Sequence, residues 1–84
     1  MLDIRNNHIA SIQAIHNMEK LYWLDFRYNE IGSIQALQDL TKLKKLFLSN
    51  NQITSIQSVE KLTNLYHLDL ENNKINSIQS RPFN

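Results

Sequence analysis

Apolar residues recur along this chain in a pattern that repeats every 22 residues. An asparagine marks the repeat, at Asn7, Asn29, Asn51 and Asn73. The most complete copy consists of Leu43, Leu46, Leu48, Asn51, Ile53, Ile56, Val59 and Leu62. A fixed period of this length predicts a solenoid, in which equivalent segments stack as successive coils. The first copy is truncated, because the chain opens at Leu2 inside the pattern.

Two spacings within each copy predict its local structure. Leu46 and Leu48 are two residues apart, so a short strand would direct both side chains to one face. The return to the next strand takes more than a dozen residues, which predicts a parallel sheet with right-handed connections. Apolar residues at intervals of three, from Ile53 to Leu62, suit a 3₁₀ turn better than a long α-helix. The asparagine amide, a donor and an acceptor, is predicted to satisfy backbone groups of adjacent coils.

These residues resemble the leucine-rich repeat family, in its 22-residue subclass. Repeats of this length occur in the phosphatase-regulating repeat proteins of eukaryotes and in bacterial internalins. Internalin repeats usually carry an Asp-Ile-small-Pro-Leu stretch where this chain has Ser-Ile-Gln-Ala-Leu at 33–37, and the branch of the family stays open. The expected fold is an α/β repeat: a right-handed solenoid with a curved parallel β-sheet on its concave face and 3₁₀ or extended segments on its convex face.

The pattern predicts one domain over residues 1–84, with about four repeats and no clear cap. Terminal repeats of a solenoid normally carry polar caps that cover the apolar layer and the free strand edge. Two interpretations follow. The chain is a segment of a longer array, which we favour, or it is a short protein whose open ends are closed by a partner or by a second copy. Phe83 is either a lid over the last coil or a disordered terminal residue.

Composition narrows the expected partners and compartment. Nine basic and eight acidic residues give a net charge of +1, which provides no general attraction for nucleic acid or an anionic membrane. The chain has no apolar run long enough to span a bilayer, no secretion signal and no cysteine. We therefore expect a protein partner, no cofactor and, by default, a cytoplasmic location.

Strand positions that alternate with the core leucines are predicted to line the concave face in columns. The columns are Met1, Trp23, Lys45 and His67; Asp3, Asp25, Phe47 and Asp69; Arg5, Arg27, Ser49 and Glu71; and Asn6, Tyr28, Asn50 and Asn72. Trp23 and Phe47 lie outside the leucine pattern, and aromatic residues ringed by charges are typical anchors of protein interfaces. The alternative for Trp23 is a cation–π contact with Lys45. Tyr22 and Tyr66 are expected to pack at the rim.

Charged residues of the concave face are predicted to select the partner. Asp3 with Arg5 and Asp25 with Arg27 are expected to form solvated pairs, which contribute only ~0–1 kcal/mol to stability. Asp69 and Glu71 make one end of the face acidic, which suits a partner with a basic group near Glu71. The predicted protein-binding residues are Trp23, Asp25, Arg27, Lys45, Phe47, His67, Asp69 and Glu71.

An enzyme or a metal site is the weaker reading of the same face. His67 and Asp69 share a strand face and could act as a base with its carboxylate, or as two metal ligands. The third group that such a site requires is missing, because Ser49 belongs to another column and His8 and His16 to other parts of the coil. We expect a non-catalytic scaffold that binds a protein through its concave face. The competing hypothesis is a structural segment that stacks on further repeats or on itself.

Overall fold

A computed structural model describes residues 1–75 of the chain. Each 22-residue repeat forms one coil, with a short strand followed by a 3₁₀ turn. The strands are β1 (Leu2–Asp3), β2 (Trp23–Asp25), β3 (Lys45–Phe47) and β4 (His67–Asp69), and the 3₁₀ turns are η1 (Gln13–Ile15), η2 (Gln35–Leu37) and η3 (Gln57–Lys61). We number the coils 1 to 4 after their strands. The proposed lid Phe83 lies outside the described residues.

The four strands form one parallel sheet in the order β1-β2-β3-β4. The register has no slip: Leu24 pairs with Leu46, and Leu46 pairs with Leu68. A constant spacing of 22 residues requires this register, because any shift by one would turn the leucines out of the core. The predicted solenoid, with its parallel sheet and 3₁₀ turns on the convex side, is confirmed. Within residues 1–75, no helix is long and apolar enough to cross a membrane.

A single apolar layer lies between the sheet and the 3₁₀ turns. Its buried members are Ile12, Ile15, Leu21, Leu24, Phe26, Ile31, Ile34, Leu37, Leu40, Leu43, Leu46, Leu48, Ile53, Ile56, Val59 and Leu62. All of them occupy the repeating apolar positions. Neither Trp23 nor Phe47 belongs to this layer, which leaves both rings on the other face of the sheet.

The repeating asparagine joins successive coils, as predicted. Asn51 Nδ2 donates to the carbonyl of Phe26 in the preceding coil and to that of Leu48 in its own coil, both at 3.0 Å. Its Oδ1 accepts the N–H of Ile31 at 3.0 Å. Asn29 and Asn73 repeat this arrangement one coil earlier and one coil later. The asparagines therefore connect the coils where the chain leaves the strand.

The residue before each of these asparagines turns the chain out of the sheet. Asn6, Tyr28 and Asn50 have φ of 60°, and Asn72 has φ of 56°. This left-handed conformation disfavours residues with a Cβ, and asparagine tolerates it better than most. The column that we predicted as part of the concave surface is therefore also the turn that ends each strand.

Candidate functional site

Three rings pack together in a row across the concave face. The Phe47 ring centroid lies 5.5 Å from that of Trp23 on β2 and 4.8 Å from that of His67 on β4, with tilted planes in both pairs. Trp23 and Phe47 are half-buried, and His67 is exposed. We call Trp23, Phe47 and His67 the aromatic cluster. The parallel register brings the rings together diagonally, since Trp23 pairs directly with Lys45 and Phe47 with Asp69.

An arginine covers one side of this cluster. The guanidinium carbon of Arg27 lies 4.9 Å from the Phe47 ring centroid, within the range of a cation–π contact. Asp25 holds that guanidinium through three hydrogen bonds: Nε donates to Oδ1 at 2.9 Å and to Oδ2 at 3.1 Å, and Nη2 donates to Oδ2 at 2.6 Å. The backbone N–H of Arg27 also donates to Asp25 Oδ1, at 3.1 Å. Asp25 and Phe47 are neighbours in the sheet, so one guanidinium reaches both.

The prediction that the Asp25–Arg27 pair is exposed to solvent is wrong for Asp25. Its side chain is 0% exposed, although it points to the concave side, because Arg27 and Arg5 lie around it. Arg5 Nε approaches Asp25 Oδ2 at 3.6 Å. A carboxylate buried in this way cannot touch a partner directly, and the hydrogen bonds that it accepts offset the cost of its burial. Asp25 therefore acts on the face by holding Arg27 in place.

The hydrogen bonds between the arginines and the aspartates change the pKa values of these side chains. Its hydrogen bonds with Asp25 raise the pKa of Arg27 above its ordinary value, although partial desolvation opposes that rise. The equivalent pair in coil 1 lies in solvent, where the Arg5 hydrogen bond lowers the pKa of Asp3 below its usual range. Both predicted ion pairs are present, and both arginines remain cationic.

Lys45 takes a different position from the one considered for it. Its Nζ lies 5.9 Å from the ring centroid of Tyr66, rather than over Trp23. Tyr66 is 70% exposed, so this contact lies at the rim of the sheet. The predicted alternative, a cation–π contact between Lys45 and Trp23, is not formed within residues 1–75. The ring that packs beside Trp23 is that of Phe47.

The last two charged positions of the face carry carboxylates that no arginine of residues 1–75 binds, although the charges of Arg27 and Asp69 attract each other at longer range. Asp69 is half-buried and Glu71 is exposed. In residues 1–75 neither forms an ion pair, and the Oδ1 of Asp69 accepts only a long 3.4 Å bond from the backbone N–H of Glu71. We call Asp69 and Glu71 the acidic pair. It borders the aromatic cluster, because Asp69 pairs with Phe47 in the sheet.

Tyr28 is a candidate that the sequence reasoning did not single out. Its side chain is exposed, and its backbone has a positive φ where the other three coils have asparagine. A bulky residue in this conformation is strained, and such strain is concentrated at functional sites. The signal was present in the sequence as an aromatic residue in a column of asparagines. Tyr28 follows Arg27 directly and extends the aromatic surface of the concave face.

Within residues 1–75, His67 and Asp69 have no third side chain beside them that would complete a metal site. The His67 ring packs against Phe47, as expected of a contact residue. Among residues 1–75, no three His, Cys, Asp or Glu side chains are grouped as metal ligands. The absence of catalysis stays a prediction.

A groove of about 540 Å³ lies on the convex side, between η2 and η3. Its lining is mainly hydroxyl and amide side chains, including Ser33, Gln35 and Gln57, with Glu60 and Lys61 at one end. No aromatic ring lines it. Binding sites usually combine an apolar surface with a few polar groups. The concave face meets that description better than this groove does.

Comparison with known proteins agrees with the repeat pattern. Residues 1–53 match a family model described as leucine rich repeat, and residues 41–82 match one described as two copies of leucine rich repeats. No curated protein sequence matches the chain.

Two similar solved structures are internalins of Listeria monocytogenes. The internalin inlF is 36% identical over 90% of this chain, with a TM-score of 0.88. Internalin C2 is 28% identical over 86% of this chain, with a TM-score of 0.83. The chain spans 22% and 32% of those two proteins, respectively. With a repeat model that covers residues 1–53 and a solenoid whose coils follow the same 22-residue pattern, the chain belongs to the leucine-rich repeat family.

Proposed function

We propose that this protein binds a partner protein through the concave face of its sheet and performs no chemistry of its own. The observation that carries the proposal is the aromatic cluster. Three rings from three strands pack together outside the core, with Phe47 between the other two, and Arg27 lies against Phe47. Clustered aromatic and arginine side chains near the centre of a surface dominate the binding energy of protein interfaces.

The rigidity of the cluster supports the same proposal. Asp25 holds Arg27, Arg27 covers Phe47, and Phe47 contacts both Trp23 and His67. Side chains that are fixed before binding lose less conformational entropy when a partner arrives. The cluster contributes little to the apolar core, so its arrangement is better explained by recognition than by folding.

The partner can be identified by crosslinking it to the protein from a chosen residue on one face or the other. A photo-crosslinking amino acid in place of Tyr66 would lie beside the concave face, and one in place of Gln57 would lie on the convex side. A partner that crosslinks from position 66 and not from position 57 meets the proposal. Equal crosslinking from both positions contradicts it.

Affinity measurements then test the cluster itself. Trp23→Ala and Phe47→Ala should each weaken binding of that partner by about 2 kcal/mol or more, roughly 30-fold. The matched control is Tyr22→Ala, which removes an exposed aromatic ring outside the cluster and should change affinity less than threefold. The comparison is made below the melting temperature of every variant. Equal losses from Tyr22 and Trp23, or no loss from Trp23, would refute binding by this face.

One observation favours a second function, the stacking of further repeats or of a second copy on coil 4. Leu65, Leu68 and Leu70 are half-buried in the described residues, whereas Leu43, Leu46 and Leu48 are fully buried one coil earlier. Apolar layers and strand edges of this kind promote association. Sedimentation velocity over a hundredfold range of concentration separates the proposals. A monomer throughout contradicts stacking of copies, and a Leu68→Lys variant that stays as associated as the parent contradicts stacking on this coil.

A further inference from the structure

We infer that the partner presents an arginine side chain to Asp69, beside an apolar side chain that covers the aromatic cluster; this inference rests on the proposed binding by the concave face. It comes from comparing the same position in successive coils. In coils 1 and 2, the residue two positions after the aspartate is an arginine that binds it: Arg5 binds Asp3, and Arg27 binds Asp25.

Coil 4 keeps the aspartate and changes the arginine. Asp69 occupies the column of Asp3 and Asp25, and the position of Arg5 and Arg27 is taken by Glu71. Within residues 1–75, Asp69 therefore has no ion pair of the kind that its two equivalents form. Two adjacent carboxylates at this end of the face attract a cation from outside the chain.

The geometry that a guanidinium would adopt is already present next to Phe47. This ring lies between two aspartates in the sheet, paired with Asp25 on one side and with Asp69 on the other. On the first side Arg27 binds the carboxylate at two points and lies against the ring, 4.9 Å from its centroid. On the second side, the rings of Phe47 and His67 and the carboxylate of Asp69 offer the same combination of groups.

Among residues 1–75, neither Arg5 nor Arg27 is available to fill that place or to attract an acidic partner. Arg27 is held by the buried Asp25, and Arg5 binds Asp3 while it also approaches Asp25 at 3.6 Å. Lys45 lies over Tyr66 at the beginning of the strand. In the part of the chain that the structure describes, the charge beside the aromatic cluster that forms no ion pair is therefore negative. Arginine suits it better than lysine, because a planar guanidinium can bind a carboxylate at two points while it stacks on a ring.

A pair of short peptides tests the inference without knowledge of the natural partner. The probes are acetyl-Phe-Gly-Arg-amide and acetyl-Phe-Gly-citrulline-amide, which differ in charge and hardly in shape. Titration of the ¹⁵N-labelled protein, followed by amide chemical shifts, should show the arginine peptide binding about two- to fivefold more tightly, the size expected of a partly exposed ion pair. The largest shifts should fall on residues 47 and 67–71.

Two variants of one exposed residue provide the matched control. Glu71→Arg gives coil 4 the internal arginine of coils 1 and 2, and should abolish the preference for the arginine peptide. Glu71→Gln leaves Asp69 unoccupied and should retain part of that preference. Absence of binding, equal binding of both peptides, or a preference that survives Glu71→Arg would each overturn the inference.

The captured partner separates this inference from the proposed function. If Trp23→Ala weakens its binding and Glu71→Arg does not, the concave face binds the partner but recognises no arginine at Asp69. If Trp23→Ala has no effect, the proposed function itself fails, whatever the peptides do.

Discussion

Replacement of Asn51 by alanine should be among the most destabilising changes of a polar residue in this protein. The Asn51 amide makes three short bonds, to the carbonyls of Phe26 and Leu48 and from the N–H of Ile31. It is 7% exposed, so water reaches these backbone groups poorly. Because the bonds join two coils, the substitution should weaken the contact between coils 2 and 3 as well as the turn.

The size of the effect follows from the backbone groups that lose their partner. A buried donor or acceptor left unsatisfied costs about 1–3 kcal/mol. Three such groups would give a larger sum, but a water molecule can enter the space of the missing amide and satisfy part of them. We expect a loss of about 2–4 kcal/mol. A domain of this size has a total stability of roughly 4–13 kcal/mol, at ~0.05–0.15 kcal/mol per residue. The variant should therefore lose a large share of its folding free energy.

Urea unfolding of two matched variants checks this reasoning. Asn7 holds the same place in coil 1 but is exposed, and its amide donates only within its own coil, to Ile4 and Arg5. Asn7→Ala should cost less than about 1 kcal/mol. Asn51→Asp keeps the acceptor for Ile31 but loses both donors, so it should be at least as harmful as alanine at neutral pH. If Asn51→Ala and Asn7→Ala differ by less than about 0.5 kcal/mol, the bonds between coils do not carry the stability assigned to them.

Three further predictions concern the core, a strained turn and an exposed ion pair. Leu46→Ala removes a fully buried side chain and should cost about 2–5 kcal/mol in urea unfolding; a midpoint equal to the parent's would contradict the core assignment. Tyr28→Asn places at this positive φ the residue that tolerates it in the other three coils and should raise stability by about 0.5–1 kcal/mol; no gain would show that Tyr28 is unstrained. Arg5 lowers the pKa of Asp3, so the stability from this pair is complete above the unfolded pKa of about 4 and is lost as pH falls through the lower folded pKa. Asp3→Asn should therefore flatten the acid side of the stability profile, and an unchanged acid slope would contradict this.

The fold was predictable because the repeat fixes every coil relative to the next. A spacing of 22 residues between Leu24, Leu46 and Leu68 determines strand register, and the alternation around them determines which side chains leave the core. The placement of Trp23 and Phe47 on the concave face followed from the same alternation. Position in a repeat is a property of the sequence, and no side-chain conformation was needed to obtain it.

The parts that escaped prediction depend on side-chain conformation and on backbone dihedral angles. Asp25 looked exposed in its column, and only the positions of Arg27 and Arg5 around it explain its burial. The contact of Lys45 with Tyr66, rather than with Trp23, likewise depends on where a long flexible side chain settles. The positive φ of Tyr28 could have been inferred, since asparagine occupies that position in the other three coils and suits a left-handed backbone.

The same two strand positions therefore have different roles in different coils of the concave face. Where these positions hold an aspartate and an arginine, as in coil 2, the two side chains form an ion pair, and the arginine covers one side of the aromatic cluster. Where these two positions hold Asp69 and Glu71, the like charges repel each other and neither forms an ion pair within residues 1–75. A substitution at Asp25 should thus act on binding and on stability together, because it leaves Arg27 without its fixed position. A substitution at Glu71 should act on binding with little change in stability, because that side chain is exposed and unpaired within residues 1–75.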